Sequence, residues 1–509
     1  MYLPSVFFGI TRLDDYVFIV RLQHYNSHLS GLFTSFTRGV FGFNDNYYRP
    51  IFLDSLILNA RLLSGSVMSF HIVNVLLHAL AVTLLFRLFL RLHVLQWQAF
   101  VLGLVFAVHP VLTQAVAWIP GRNDTLLAVF GFSFLLRAIA YTETHKVVDL
   151  VLSVLFFLLT LFTKESGIFF APVAVVLLVG VLRKGIAKRS NLLQYTLWLV
   201  CGIVWFIMRS ASGIKGLGLP PKALAREFVQ KLPLLLQYTG KIFAPVNLSV
   251  FPMMRDTDNF WGFLAISALV ASIILVKHKN GRNLACGVLV FLIFVLPALM
   301  LPNYMSPQVF EHRLYLPITG ILFLLPQTFF FKNGLNDRQL AGGFIAIAFV
   351  LAAVGFRHQQ HFKNPYAFWS QAVSSTPGSG YAHMMLAMQE PDKNRSEELF
   401  RRAFQIAPKE QRINYYRGIT LQKQGFILES ETYLLIEKQR SNFYMCDFYL
   451  ARVAAAKGEY AHAQQLYFTY LARDPNNEAT DRARIMNDPA WQQPESAKVL
   501  LAKLLAHQP

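Results

Sequence analysis

Ten apolar runs succeed one another between Val67 and Phe356, and a chain that repeats such runs has few folds open to it. They lie roughly at 67–90, 97–118, 124–141, 147–162, 166–182, 192–210, 259–277, 284–301, 314–331 and 340–356. Crossing about 30 Å of hydrocarbon takes about 20 residues of helix. A helix satisfies its own backbone groups where no water can. The expectation is therefore an all-α, multi-spanning membrane bundle of about eleven helices, counting one at the N-terminus, with the shorter runs packed against their neighbours. Composition agrees: 54% of residues are apolar and only 15% charged, where an ordinary soluble domain carries about 25% charge. Disorder is excluded by the same figures.

The formal net charge of +19 would suggest a polyanion partner on a soluble protein. Its distribution says otherwise. From Arg357 onward 19 Lys and Arg accompany 15 Asp and Glu, whereas the preceding 356 residues hold 28 basic and 13 acidic ones. Most of the excess thus lies among the apolar runs, in alternate connections: Arg87 and Arg91, Lys146, Arg183 to Arg189, Lys277 to Arg282, then Lys332 and Arg338. By the positive-inside rule these connections are cytoplasmic. Those around 119–123, 163–165, 211–258 and 302–313, and everything after Arg357, then face the periplasm or an organelle lumen. A nucleic-acid partner is not expected. Cys201, Cys286 and Cys446 form no CxxC, so neither a disulfide scaffold nor a zinc finger is indicated.

Met1–Thr11 is apolar but at about 1.5 Å per residue spans only half a membrane, and reads as the remnant of a first helix. Glu227–Phe243 contains Lys231, Pro233 and Lys241 and reads as an interfacial helix. After Arg357 the composition is that of a soluble domain, and it repeats. Gly418 and Ala451 are 33 apart, as are Gly425 and Gly458, while Pro408 and Pro475 are 67 apart. That is the tetratricopeptide (TPR) period. The domain division is 1–356 for the membrane part, 357–377 for a linker and 378–509 for a short TPR α-solenoid on the non-cytoplasmic side, with Pro494–His507 as its capping helix.

Carboxylates are costly inside a membrane and mark function there. By the topology above, Glu143, Asp149 and Asp337 of the thirteen face the cytoplasm, and the other ten gather at the opposite face. Asp14-Asp15 stands out: adjacent like charges raise a pKa and can position a base or hold a cation. A solvated helix end is the plainer alternative. Tyr48-Arg49-Pro50, His71-x-x-Asn74 with His78, His109-Pro110, Arg122-Asn123-Asp124, Lys164-Glu165 and Glu311-His312-Arg313-Leu314-Tyr315 accompany the acids at the same helix ends. His71, Asn74 and His78 share one helix face, and interhelical hydrogen bonding is an alternative role for Asn74 and His78. No HExxH, Walker loop or GxGxxG unit occurs, so zinc proteolysis and nucleotide chemistry lack a site.

The order Leu13-Asp14-Asp15-Tyr16, Tyr48-Arg49-Pro50, His71-x-x-Asn74-x-x-x-His78, His109-Pro110-Val111, Gly121-Arg122-x-Asp124, Thr163-Lys164-Glu165-Ser166-Gly167, Pro245-x-Asn247-Leu248-Ser249 and Glu311-x-Arg313-Leu314-Tyr315-Leu316-Pro317, followed by the repeats, resembles the transmembrane and TPR-containing protein O-mannosyltransferases and their bacterial relatives. These are GT-C glycosyltransferases. The resemblance covers nearly the whole chain, apart from a truncated first helix and a short TPR array. It implies transfer of a sugar from a polyprenyl-phosphate donor to a Ser or Thr hydroxyl of a protein on the non-cytoplasmic face. Asp14 is then the expected base, with Asp15 supporting it or both holding a divalent cation. Arg49, Arg122, Lys164 and Arg313 are expected on the donor phosphate. His71, Asn74, His109, Asp124, Glu165, Glu311 and Tyr315 are expected in support, Glu165 alternatively neutralising Lys164 or Arg122.

A polysaccharide or lipid-linked glycan acceptor is the nearest alternative, and a silent membrane scaffold whose TPRs bind a partner protein is one of a different class. A transporter has less support, because no inverted repeat is visible and the acids sit on one face rather than at mid-membrane. The compact loops favour a bacterial inner membrane with periplasmic TPRs over an endoplasmic reticulum membrane with lumenal ones.

Overall fold

The computed structural model describes residues 1–21, 29–41, 46–185, 188–214, 220–277, 279–301, 308–334, 336–473 and 499. Among them the chain is helical without a β-strand, one isolated antiparallel bridge joining Met253 to Gln308. It divides into two compact units, Met1–Ser375 and Thr376–Pro509.

Each of the ten apolar runs is helical, and side-chain caps explain several of their starts. Ser66 accepts the Ser69 N–H to open Val67–Arg91, and Asn280 does the same for Gly281–Met300. Asn336 and Gln339 form a reciprocal capping box at the start of Asp337–Gln359. Five helices among the described residues are long and apolar enough to cross a membrane: Val67–Arg91, Ile119–Thr144, Asn191–Ala211, Gly281–Met300 and Asp337–Phe362. Gln96–Val108 and Pro110–Ala117, which meet at 52°, make a sixth if the bent pair is counted as one span. Pro110 has no N–H to continue the first segment, and His109 Nδ1 accepts the Val111 N–H at 3.3 Å. Val147–Thr163, Glu165–Val181, Phe260–Ile274 and Pro317–Gln327 are shorter.

The outer surface is apolar, as lipid requires: Phe349 is 73% and Phe206 61% exposed, among many like them. Between apolar helices in lipid, close packing replaces the hydrophobic effect. Gly240 and Gly262 therefore let Pro233–Phe243 and Phe260–Ile274 meet backbone to backbone, since a Cβ on Gly262 would overlap the Leu236 carbonyl.

Three expectations change. Met1–Thr11 holds a single tight turn, Leu3–Phe7, rather than an α-helix, with Pro4 inside its first turn. The segment 227–243 is broken: Pro221–Gln230 ends at Lys231, and Pro233 starts a separate helix, Pro233–Phe243. Residues 357–377 are largely folded onto the first unit instead of forming a linker. Asp337–Gln359 runs past 356, and Pro365–Ser375 is tied down by Trp369 Nε1 donating to Thr11 O at 3.1 Å and by Gln371 bonding Leu248 O and the Val250 N–H.

The second unit consists, in its described residues, of three helix pairs: Gly380–Ala387 with Lys393–Ile406, Ile413–Lys423 with Ser430–Ser441, and Met445–Ala456 with Tyr460–Arg473. Gly425 and Gly458 take φ +90° and +80° just beyond the first helices of the second and third pairs, the left-handed cap that glycine allows. Gly418 and Ala451 are where first helices are crossed closely: a Cβ on Gly418 would press on Leu434, and Ala451 is fully buried. Pro475 and the expected capping helix Pro494–His507 lie outside the described residues.

Candidate active site

Asn74 sits near the start of Val67–Arg91 and binds Arg122, at the start of Arg122–Thr144, so both helices begin at the same end of the bundle. Lys164 at the end of Val147–Thr163, Arg49 before Pro50–Leu62 and the turn Glu311–Leu314 reach that end too. There the chain brings together residues that are up to 300 positions apart.

Asp14 and Asp15 separate in role. Asp15 is buried, and its Oδ2 accepts the Thr11 N–H at 2.5 Å and the Thr11 hydroxyl at 2.9 Å. Asp14 is more open and feels the Arg49 charge. Burial first, then the Asp15 charge, pushes the Asp14 carboxyl up to about 6 against the pull of Arg49. Burial also raises Asp15 to about 6, against its bonds from Thr11.

Arg49 Nε donates to Glu165 Oε2 at 2.9 Å, and Glu165 Oε1 accepts the Tyr48 N–H at 2.7 Å. The guanidinium also lies 4.5 Å from the Tyr47 ring centroid. Burial works against the charge on Arg49, but Glu165 outweighs it and holds the pKa above its ordinary value. Among the described residues this arrangement aligns Arg49 through Nε, and its two terminal nitrogens make no hydrogen bond. Glu165 thus makes its direct ion pair with Arg49 rather than with Lys164 or Arg122, while its charge still favours the Lys164 cation. Lys164 Nζ instead pairs with Asp124 Oδ1 at 2.6 Å, and burial lowers its pKa despite Asp124.

His312, quoted in the 311–315 stretch but given no role there, completes the cluster. Its Nδ1 lies 2.9 Å from Gln114 Oε1, while Gln114 Nε2 donates to Val250 O at 3.2 Å. That fixes the amide and makes His312 Nδ1 the donor, leaving Nε2 as an acceptor. The ring stacks on Phe310 and lies tilted against Trp118, which itself stacks on Phe310. Burial, then Lys164, Arg313 and Arg49, hold His312 well below its ordinary pKa, so it is neutral at physiological pH. Arg313 donates to Gln308 O at 2.9 Å and lies near Lys231, whose pKa falls to about 8 through burial and that neighbouring charge. A lone histidine between two motif residues gave no pattern to read; only the fold supplies its cationic surroundings.

The remaining expected residues stand apart from this cluster. Arg122 is fully buried and bonds Asn74 Oδ1, Asn59 Oδ1, Ser55 O and Phe70 O. Four of its five N–H donors are used inside the bundle, the arrangement of a strut between helices. Asn74 extends the strut to the carbonyls of Val116, Trp118 and Ile119. His71 is buried beside Phe8. His109 Nε2 bonds Ile242 O at 2.8 Å, and Tyr315 OH bonds His78 Nδ1 at 2.7 Å. Glu311 Oε1 takes Lys241 Nζ at 2.6 Å and the Ser249 N–H at 2.9 Å, with His358 at 3.6 Å from its other oxygen.

A divalent cation fits poorly. Among the described residues no three His, Cys, Asp or Glu side chains gather as ligands, and one oxygen of Asp15 is committed to Thr11. Of the adjacent pair Asp14 is the more open carboxylate, and no step is assigned to a metal.

The chain is 26% identical over 358 residues to a Protein O-mannosyl-transferase of Caenorhabditis elegans, covering 67% of this chain and 50% of that protein. It is 29% identical over 220 residues to Protein O-mannosyl-transferase TMTC3 of Mus musculus, covering 42% and 22%. Over 97 residues it is 43% identical to Protein O-mannosyl-transferase TMTC2 of Homo sapiens, covering 19% and 11%. It therefore spans about half the length of the first of these relatives and less of the others. No protein-family model matches the sequence, and no solved structure matches it. With its apolar spans and its ordered motifs, the chain is an integral membrane protein related to the protein O-mannosyl-transferases.

Proposed function

We propose that the chain transfers a sugar from a lipid-phosphate donor to a protein hydroxyl on the non-cytoplasmic face of its membrane. The observation that carries this reading is the meeting of Asp14 with Arg49, Lys164, His312 and Arg313 at one end of the bundle. A carboxylate whose pKa lies near operating pH can take a proton, and cations can receive a departing phosphate. Asp14 removes the acceptor hydroxyl proton while that oxygen attacks the anomeric carbon. The bond from the anomeric carbon to the phosphate oxygen breaks, and the lipid phosphate leaves with its electron pair toward Arg49 and Arg313. Lys164 is balanced by Asp124 and adds a second tier of positive charge. Neutral His312 Nε2 can accept a hydrogen bond from a hydroxyl of the donor sugar. The activity for which the relatives are named, protein O-mannosyl transfer, makes mannose the first sugar to test and a protein the first acceptor. The helix pairs of the second unit suit recruitment of that protein.

The test is intact mass spectrometry of exported proteins from cells with the native gene, with Asp14→Asn, and without the gene. The expected result is a hexose increment that disappears in the last two. Unchanged glycoforms in Asp14→Asn would sink the mechanism, and unchanged glycoforms without the gene would favour the scaffold alternative.

A further inference from the structure

At the end of the bundle away from Asp14, a cavity of about 350 Å3 opens between Val67–Arg91, Arg122–Thr144 and Val147–Thr163. Arg87, Arg91 and Arg137 stand around it, and Leu84, Leu136 and Phe156 form its apolar wall. Arg87 and Arg91 are one helical turn apart, where like charges repel. Two of the three arginines are balanced by protein: Arg91 pairs with Glu143 at 2.6 Å and Arg137 with Asp149 at 3.1 Å, Asp149 being further held by Thr144. Among the described residues no carboxylate lies within ion-pair reach of Arg87. One positive charge is left over beside an apolar wall.

A soluble anion would use the charge but not the wall. The surroundings are lipid-facing: Leu80, Val151 and Leu155 nearby on the same helices are exposed apolar side chains. We propose that this cavity holds an anionic phospholipid, its phosphate on Arg87 with Arg91 and Arg137 at the flanks, and an acyl chain along Leu84, Leu136 and Phe156. Basic pockets between spanning helices bind acidic headgroups in this manner, and the arginine fork matches a phosphate's paired oxygens. The site lies in the leaflet opposite the proposed chemistry, so it stands or falls independently of the glycosyl-transfer reading.

Native mass spectrometry of the full-length protein in detergent, with phosphatidylglycerol and phosphatidylcholine at equal concentration, tests the proposal. One phosphatidylglycerol should be retained about fivefold better, as one basic contact near a membrane surface gives. Arg87→Gln should abolish that preference, and Arg137→Gln should lower it, with Arg338→Gln, an exposed basic residue elsewhere, leaving it intact. Equal retention of both lipids would overturn the proposal, as would equal losses in Arg87→Gln and Arg338→Gln. Displacement of the lipid by millimolar inorganic phosphate would overturn it in favour of a soluble-anion site. Should Arg87→Gln fail to fold, the test falls to Arg137→Gln, where an undiminished preference would overturn the proposal.

Discussion

Two adjacent aspartates with unlike surroundings decide what the site can do. Asp15 is tied to Thr11, and Asp14 is left facing Arg49. With its carboxyl pushed up to about 6 by burial and by Asp15, Asp14 is mostly ionised at neutral pH and becomes protonated below that value. A base must be ionised to act, so transfer should fall as pH drops through about 6, seen in initial rates on a peptide acceptor. Asp14→Asn should cost about a hundredfold or more in turnover and lose that acid limb. A profile unaltered by Asp14→Asn would remove Asp14 from the chemistry. Arg49 makes a second test. Glu165 aligns it through Nε, so Arg49→Lys keeps the charge and loses the fork. Donor binding should weaken about tenfold, measured by titration of the lipid-phosphate sugar, with the fold unchanged by circular dichroism. At this scale the sequence exposed the acids because they are so few, but their partners depend on contacts across more than a hundred positions. Glu165 to Arg49 is such a contact, 116 positions apart, while Lys164 reaches Asp124 across 40. Arg122 misled because a motif arginine looks alike whether it meets a ligand or two buried asparagines.

Among the elements, the turn Glu311–Leu314 is fixed by one buried carboxylate. Glu311 takes Lys241 from the Pro233–Phe243 helix, the Ser249 backbone, and His358 from Asp337–Gln359. Burial alone would raise its pKa, but Lys241 and then His358 prevail and bring it down to about 2. A depressed carboxyl contributes stability above its unfolded value and loses it as pH falls toward its folded one. This contribution is thus present at neutral pH and lost between about 4.5 and about 2. Glu311→Gln should lower stability by about 3–5 kcal/mol, because Lys241 is left buried without its partner. Adding Lys241→Met should restore part of the loss, read as thermal melting in detergent. Equal melting temperatures for the native chain and Glu311→Gln would deny the clasp its role. The helices themselves were legible, since apolar runs and capping residues mark them. What periodicity could not show was the bend at His109-Pro110, the break at Lys231, or the folding of 357–375 onto the first unit. Those depend on which side chains meet, as where Trp369 finds the Thr11 carbonyl.

For the whole molecule, the basic residues and the proposed site should lie on opposite sides of the membrane. The geometry supports this arrangement. Lys188 approaches His145 at 3.0 Å, linking the basic connection after residue 182 to the one after Thr144. Trp97 stacks on Phe331, and the Asn280 N–H bonds Gln327, so the connections near 96, 280 and 332 share an end. Asp14, Arg49, Lys164 and Arg313 occupy the other. The positive-inside rule keeps short connections rich in Lys and Arg in the cytoplasm, and the proposed function needs the site on the other side. Cysteine labelling with a membrane-impermeant maleimide in intact cells gives a direct measurement, starting from a chain whose three buried cysteines are replaced. Ser212→Cys, at the end that holds the site, should react, and Lys184→Cys should react only after the membrane is opened. The reverse pattern would put the aspartates in the cytoplasm, where a base poised for extracytoplasmic transfer would have no substrate, and the proposed function would fail with the topology.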